Sequence, residues 1–121
     1  MTRELVRIDG NSTLTEAAKL MTGRRVGAAL VFEGELLAGI LTERDVLRAV
    51  AEGRLDERAA NAMTARPETV EPEESTAHAA TLMIHGGFRH LPVVEGEAVV
   101  GIVSIRDLMR VVLDDEAPRG V

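Results

Sequence analysis

Two tetrapeptides pair a small hydroxyl with a carboxylate three residues on: Thr42-Glu43-Arg44-Asp45 and Ser104-Ile105-Arg106-Asp107. Each follows a short apolar stretch, Gly39-Ile40-Leu41 and Gly101-Ile102-Val103, that reads as a strand. Two chemistries fit the spacing. A hydroxyl at the N-cap and a carboxylate at N3 make a capping box, with the acid also favoured by the helix dipole. The same residues at the end of a buried strand stand where open sheets receive ligands. There the free N–H groups of a helix N-terminus suit a phosphate, and an Asp at the mouth suits two ribose hydroxyls. Arg44 and Arg106, one residue before each Asp, could face the same ligand. As a plain solvated side chain Arg44 has Glu43 beside it to pair with, whereas Arg106 has Ile105.

Other constellations carry less. Arg89 and His90 break an apolar pattern just before the run Leu91-Pro92-Val93. A lone histidine of this kind is usually a satisfied structural residue. His78, His85 and His90 lack a tight ligand spacing and there is no cysteine to help, so no metal site is expected. There is no Gly-x-Ser-x-Gly elbow, no Gly-x-x-x-x-Gly-Lys phosphate loop and no cysteine nucleophile, and Gly86-Gly87 reads as a helix stop. Asp45 and Asp107 as an acid/base pair would have to share one site, whereas duplicated units place such residues in two equivalent sites. Catalysis therefore has weak support in the residues.

The positioning elements come in duplicate. At a constant offset of 62 residues, Ile8–Val50 aligns with Val70–Val112 without a gap. Identities include Ala17/Ala79, Met21/Met83, Val31/Val93, Gly34/Gly96, Gly39/Gly101, Ile40/Ile102, Arg44/Arg106, Asp45/Asp107 and Arg48/Arg110. A register held over half a chain indicates two copies of one folding unit. In the first copy, Leu5–Ile8 reads as a strand and Thr13-x-x-Glu16 as a capping box. A helix follows with Leu14, Ala17, Ala18 and Met21 at helical spacing, ending near Gly23. Ala28–Phe32 and Leu36–Leu41 form a hairpin around Glu33-Gly34-Glu35. Thr42 caps a helix to about Glu52 with Val46, Leu47 and Val50 inward. In the second copy, Thr69-Val70 is a strand, Ser75 caps a helix to about Ile84, and Leu91–Val94 pairs with Ala98–Val103. Ser104 then caps a helix to about Leu113. Between the copies, Asp56 is expected to cap a short helix through Arg58–Ala62. Met1-Thr2 stands 62 residues before Met63-Thr64, so the repeat can begin at the first residue.

Each unit is thus strand–helix–strand–strand–helix, an α/β (α+β) class. The predicted organisation is repeat 1 over 1–55, a linker with a short helix over 56–66, repeat 2 over 67–114 and a flexible tail over 115–121. Halves of about 60 residues bury little enough surface to be marginal alone, so the copies should pack on each other.

Composition narrows the function. The 121 residues are 45 % apolar, yet Phe32 and Phe88 are the only aromatics, so the core is aliphatic. Without Trp or Tyr there is no stacking platform for single-stranded nucleic acid. A net charge of −6 disfavours the basic face that DNA or RNA binding needs, but leaves room for a small anion held by local arginines. No disulfide or thiol chemistry is available. No apolar signal core opens the sequence, and no apolar run approaches the ~20 residues of a membrane helix. A cytoplasmic protein with neither nucleic-acid nor membrane partners is expected.

The copies resemble the cystathionine-β-synthase (CBS) domain, and the pair resembles a tandem CBS module, over almost the whole chain. The matching residues are Ala17-Ala18-x-x-Met21, Val31-Phe32-Glu33-Gly34-Glu35 and Gly39-Ile40-Leu41-Thr42-x-x-Asp45. The second copy matches better, with Ala79-Ala80-x-x-Met83, Phe88-Arg89-His90-Leu91-Pro92-Val93-Val94 and Gly101-Ile102-Val103-Ser104-x-x-Asp107. Ala62-Met63-Thr64-x-x-Pro67 is also typical of such pairs. The resemblance implies a stand-alone regulatory module without catalysis, its two repeats packed sheet to sheet about a pseudo-twofold axis and leaving two clefts. It implies no required cofactor, an adenosine-type ligand (AMP, ADP, ATP, S-adenosylmethionine or NAD), pairing of modules into a homodimer, and a protein partner that reads the ligand state. Carried over, Asp45 and Asp107 take ribose hydroxyls. Thr42, Ser104, Arg44 and Arg106 lie near phosphates, and Ile40 and Ile102 flank adenine. Ala28 and His90 line the clefts, with Val6, Thr64 and Pro67 at their edges. The first copy departs from the pattern: Leu30 stands where the second has Pro92, and Gly27-Ala28 where the second has Arg89-His90. Unequal occupancy is therefore expected. Acidic Glu68, Glu71, Glu73 and Glu74 near a mouth would favour AMP or ADP over ATP. Two rivals stand beside this reading: a scaffold module whose Thr/Ser-x-x-Asp motifs are only caps, and a small nucleotide hydrolase.

Overall fold

A computed structural model of the chain describes residues 5–116. The chain divides into two compact units, one running through Pro67 and the other beginning at Glu68.

The first unit contains β1 (Arg7–Asp9), α1 (Leu14–Arg24), β2 (Ala28–Glu33), β3 (Leu36–Thr42), α2 (Glu43–Ala51), α3 (Ala59–Ala62) and β4 (Thr64–Ala65). Its sheet has the order β1-β2-β3-β4. β1 runs parallel to β2, while β2–β3 and β3–β4 are antiparallel. The parity of the strands sorts their side chains. Ala29, Val31 and Leu41 join Leu14, Ala17, Met21 and Ala49 of α1 and α2 in one aliphatic core. Leu30 and Ile40, on the opposite face, are buried but outside that core.

The second unit contains α4 (Thr76–Gly86), β5 (His90–Glu95), β6 (Ala98–Ser104) and α5 (Ile105–Glu116). β5 and β6 form an antiparallel hairpin. Val70, Ala79, Met83, Leu91, Val93, Val103 and Leu108 make its core. The duplication persists in detail: Ile8↔Val31 in the first sheet is matched by the parallel bridge Val70↔Val93 in the second unit. Both hairpins carry their register shift at the same place, Val31/Phe32 and Val93/Val94.

The helix expected to end near Gly23 ends at Arg24, and the left-handed residue that closes it is Arg25, at φ 56°. Its counterpart in the second copy is Gly87, at φ 71°. Leu47 and Val50 do not face the core; they are 68 % and 52 % exposed, and Asp45 and Ala49 are the buried residues of α2. Asp56 does not cap α3, whose N-cap is Arg58 without a side-chain bond. Thr69-Val70 forms no strand beyond the single bridge at Val70. The Thr13-x-x-Glu16 cap forms in one direction, the Glu16 N–H donating to the Thr13 hydroxyl at 3.1 Å.

The segment between the copies folds with the first unit. The Leu14 N–H donates to the Glu57 carbonyl (2.9 Å), and Arg54 clips Glu52 and Glu57 through ion pairs of 3.1 and 2.6 Å. β4 pairs with β3 because residue 39 is glycine: a Cβ there would fall 2.5 Å from the Met63 sulfur and the Thr64 carbonyl oxygen. Helix α5 runs on to Glu116, into the predicted tail. The remainder of that tail and Met1-Thr2 lie outside the described residues.

Candidate functional site

The register of each hairpin delivers the motif residues to one place. In the first unit Ala28 pairs with Thr42, and Leu30 with Ile40. Ile40 in turn pairs with Thr64, and the Leu30 N–H donates to the Val6 carbonyl at 2.9 Å. Arg7, Leu30, Ile40 and Thr64 therefore form a transverse row, with Ala28 and Thr42 two residues nearer the start of α2, whereas Val6, expected at a cleft edge, points into the aliphatic core. In the second unit His90 pairs with Ser104, and Pro92 with Ile102. Each junction is closed by an equivalent backbone bond: Glu43 N–H to the Gly27 carbonyl (2.9 Å) and Ile105 N–H to the Arg89 carbonyl (2.8 Å).

At the first junction both halves of the capping box form. The Asp45 Oδ2 accepts from the Thr42 N–H (2.9 Å) and hydroxyl (3.0 Å), and the Asp45 N–H donates to the Thr42 Oγ1 (3.3 Å). The second carboxylate oxygen, Oδ1, lies 3.5 Å from Arg48 Nη1. Asp45 is only 8 % exposed, and both its oxygens are engaged. A buried carboxylate held this way is satisfied by the protein itself.

At the second junction the Ser104 N–H donates to Asp107 Oδ2 (2.8 Å) and the Asp107 N–H to the Ser104 Oγ (3.1 Å). Asp107 is half-buried rather than buried. Burial pushes its carboxyl up, but the hydrogen bonds from Ser104 and the charge of Arg110 outweigh that and hold it below the usual carboxylate range. Ile102 is half-buried, whereas Ile40 is buried. The second junction is therefore the more open of the two. Arg44 and Arg106 are exposed on the first turns of α2 and α5, and no Glu43–Arg44 ion pair forms among the described residues. Pro67 is half-buried beyond the short β4.

Two contributors escaped the sequence reading. Arg48 completes the Asp45 cluster, although the identity Arg48/Arg110 already marked the position. The Glu43 carboxylate lies over Gly27, so that a Cβ on Gly27 would sit 3.2 Å from Oε1. Comparing the copies signals this difference, because Glu43 aligns with Ile105 and Gly27 with Arg89. Among the described residues no cluster of three or more metal-ligating side chains occurs, and no helix is long and apolar enough to cross a membrane. A groove of about 250 Å³ along β1 and α1, lined by Arg7, Asp9, Ser12 and Glu16 among others, contains none of the candidate site residues.

The duplicated strand–helix unit with a hydroxyl–Asp cap at each junction has relatives among known proteins. The CBS domain family model matches residues 1–52 and 59–114. The chain belongs to the CBS-domain family. A protein with CBS domains from Burkholderia ambifaria MC40-6 is 37 % identical, with a TM-score of 0.88 over 98 % of this chain and 90 % of that one. The CBS domain protein PAE2072 from Pyrobaculum aerophilum, solved in complex with AMP, is 32 % identical, with a TM-score of 0.85 over 97 % and 94 %. The CBS domain pair of protein MJ0100, solved with 5′-methylthioadenosine and S-adenosyl-L-methionine, is 25 % identical, with a TM-score of 0.87 over 96 % and 94 %. Three curated sequence relatives at 35–37 % identity are longer; the chain spans 55–79 % of their lengths.

Proposed function

We propose that the chain is a regulatory CBS-domain pair that binds an adenosine-containing ligand of the AMP, ADP or ATP class and passes the ligand state to a partner protein. The observation that carries this reading is the junction built twice, with a hydroxyl–Asp cap beside the strand end and an exposed Arg on the adjoining turn. Similarity to CBS structures holding AMP, methylthioadenosine and S-adenosylmethionine supports the ligand class. Asp107 and Asp45 take the ribose hydroxyls; Thr42, Ser104, Arg44 and Arg106 serve the phosphate end. Ile40 and Ile102 flank the base, Ala28 and His90 line the walls, and Thr64 and Pro67 form the edges. No cofactor is required and no reaction is catalysed. The ligand acts by binding two arrangements of the protein unequally. The protein works in the cytoplasm as a homodimer.

One observation favours a cap-only role for the first copy: both oxygens of Asp45 are spent within the protein. Thermal denaturation with AMP, ADP, ATP, NAD, S-adenosylmethionine and adenosine separates the readings. A ligand at 100 times its Kd adds about 2.7 kcal/mol, several degrees for a chain this size. A shift with one ligand that Asp107→Ala abolishes supports sensing. A flat panel at millimolar ligand supports the scaffold, and turnover of AMP or ATP above a heat-killed control would support a hydrolase.

A further inference from the structure

We infer that the two junctions select adenosine ligands of different charge: the second takes a 5′-phosphorylated nucleotide, and the first takes an adenosine compound whose 5′ group is uncharged or cationic. This deepens the adenosine-binding reading and rests on it, with one revision: at the first junction Thr42 and Arg44 face a 5′ group that is not a phosphate.

The backbone frame is the same in both copies, as the paired bonds of 2.9 and 2.8 Å at Gly27 and Arg89 demonstrate. The side chains set in that frame differ. In the first copy the Glu43 carboxylate lies over Gly27, beside Ala28 and its cross-strand partner Thr42. In the second copy the same two positions hold Ile105 and Arg89, next to His90 and its partner Ser104. An anion has been replaced by an apolar side chain, and a bare glycine by a cation. Among the charged groups at each junction, Glu43 and Asp45 balance Arg44 and Arg48, whereas Arg89, Arg106 and Arg110 outnumber Asp107. A helix N-terminus attracts a phosphate. At α2 that attraction meets a carboxylate at the first helical residue; at α5 it is reinforced. A 5′-thioether avoids the repulsion, and a sulfonium turns it into attraction.

Isothermal titration of the full chain tests this with AMP and with 5′-methylthioadenosine, alone and in sequence, at low and physiological salt. AMP should fill one site per chain, and methylthioadenosine should still bind after AMP saturation. Arg89→Gln should weaken AMP about tenfold, with the loss smaller at higher salt, and leave methylthioadenosine unchanged. Glu43→Gln should let AMP enter the first junction as well, so that a second AMP site per chain appears in the titration. Both positions are exposed or at the junction rim, and melting curves verify folding of each variant. Two equivalent AMP sites insensitive to Glu43→Gln, or competition of the two ligands for one site, would overturn the inference while leaving adenosine binding intact. No binding of either probe overturns the adenosine reading, and this one with it.

Discussion

Asp45 and Asp107 occupy equivalent positions and have different surroundings. Asp45 is enclosed, bonded to two donors of Thr42 and to Arg48; Asp107 is half-open and bonded to Ser104. Removing an enclosed charged acceptor with three partners costs more than removing a half-buried one that serves a single backbone donor. Urea unfolding should therefore give a loss of about 2 kcal/mol for Asp45→Ala and about 1 kcal/mol for Asp107→Ala. The Asp107 carboxyl is depressed in the folded state, so its contribution is present above the unfolded value near 3.9 and is lost as pH falls through the folded value. Asp107→Asn keeps an acceptor for the cap and removes the charge. Its stability should fall less steeply than wild type below about pH 4, read by acid titration of the melting temperature. The caps themselves were readable from the sequence, because Thr-x-x-Asp is a local pattern with a local reason. Glu43 over Gly27 was not, because that contact depends on how β2 and α2 meet.

Secondary-structure elements show where local rules fail. Residues 47 and 50 of α2 are apolar and at helical spacing, which suggested an inner face. Thr42 turns Asp45 inward instead, and Ala49, one turn on, follows it. At 3.6 residues per turn Leu47 and Val50 then lie roughly 200° and 140° from Asp45, on the outside. The capping bond, not the count of apolar residues, sets the rotation of the helix. The end of α1 makes the same point: Gly23 looked like a stop, yet the left-handed position falls on Arg25, in register with Gly87. A left-handed residue with a Cβ costs about 1 kcal/mol. Gly87→Ala should therefore destabilise by about 1 kcal/mol, and Arg25→Gly should stabilise by about 0.5 kcal/mol, since part of the gain is returned as unfolded-chain entropy. Paired urea melts of the two variants check both signs.

At the scale of the molecule, the repeat made the fold class readable: one gapless offset predicts each hairpin and each flanking helix. The partition of the middle segment was less readable, because its affiliation depends on non-local bonds such as Leu14 to Glu57 and β3 to β4. Several large apolar side chains stay exposed on α2 and α5, among them Leu47, Val50, Met109 and Leu113. A chain with net charge −6 that still presents such surface fits the proposed homodimer. Met109→Glu with Leu113→Glu should weaken self-association at least about tenfold in sedimentation velocity, with the helical content unchanged. A monomeric wild type at the same concentrations would remove the dimer from the proposal.

The equal backbone bonds at Gly27 and Arg89 mean that the two copies keep one frame at the strand–helix junction. Whatever distinguishes the junctions is therefore carried by side chains, Gly27 and Glu43 in one copy and Arg89 and Ile105 in the other. A swap of Gly27-Glu43 for the Arg89-Ile105 pair is a short mutational walk that needs no refolding.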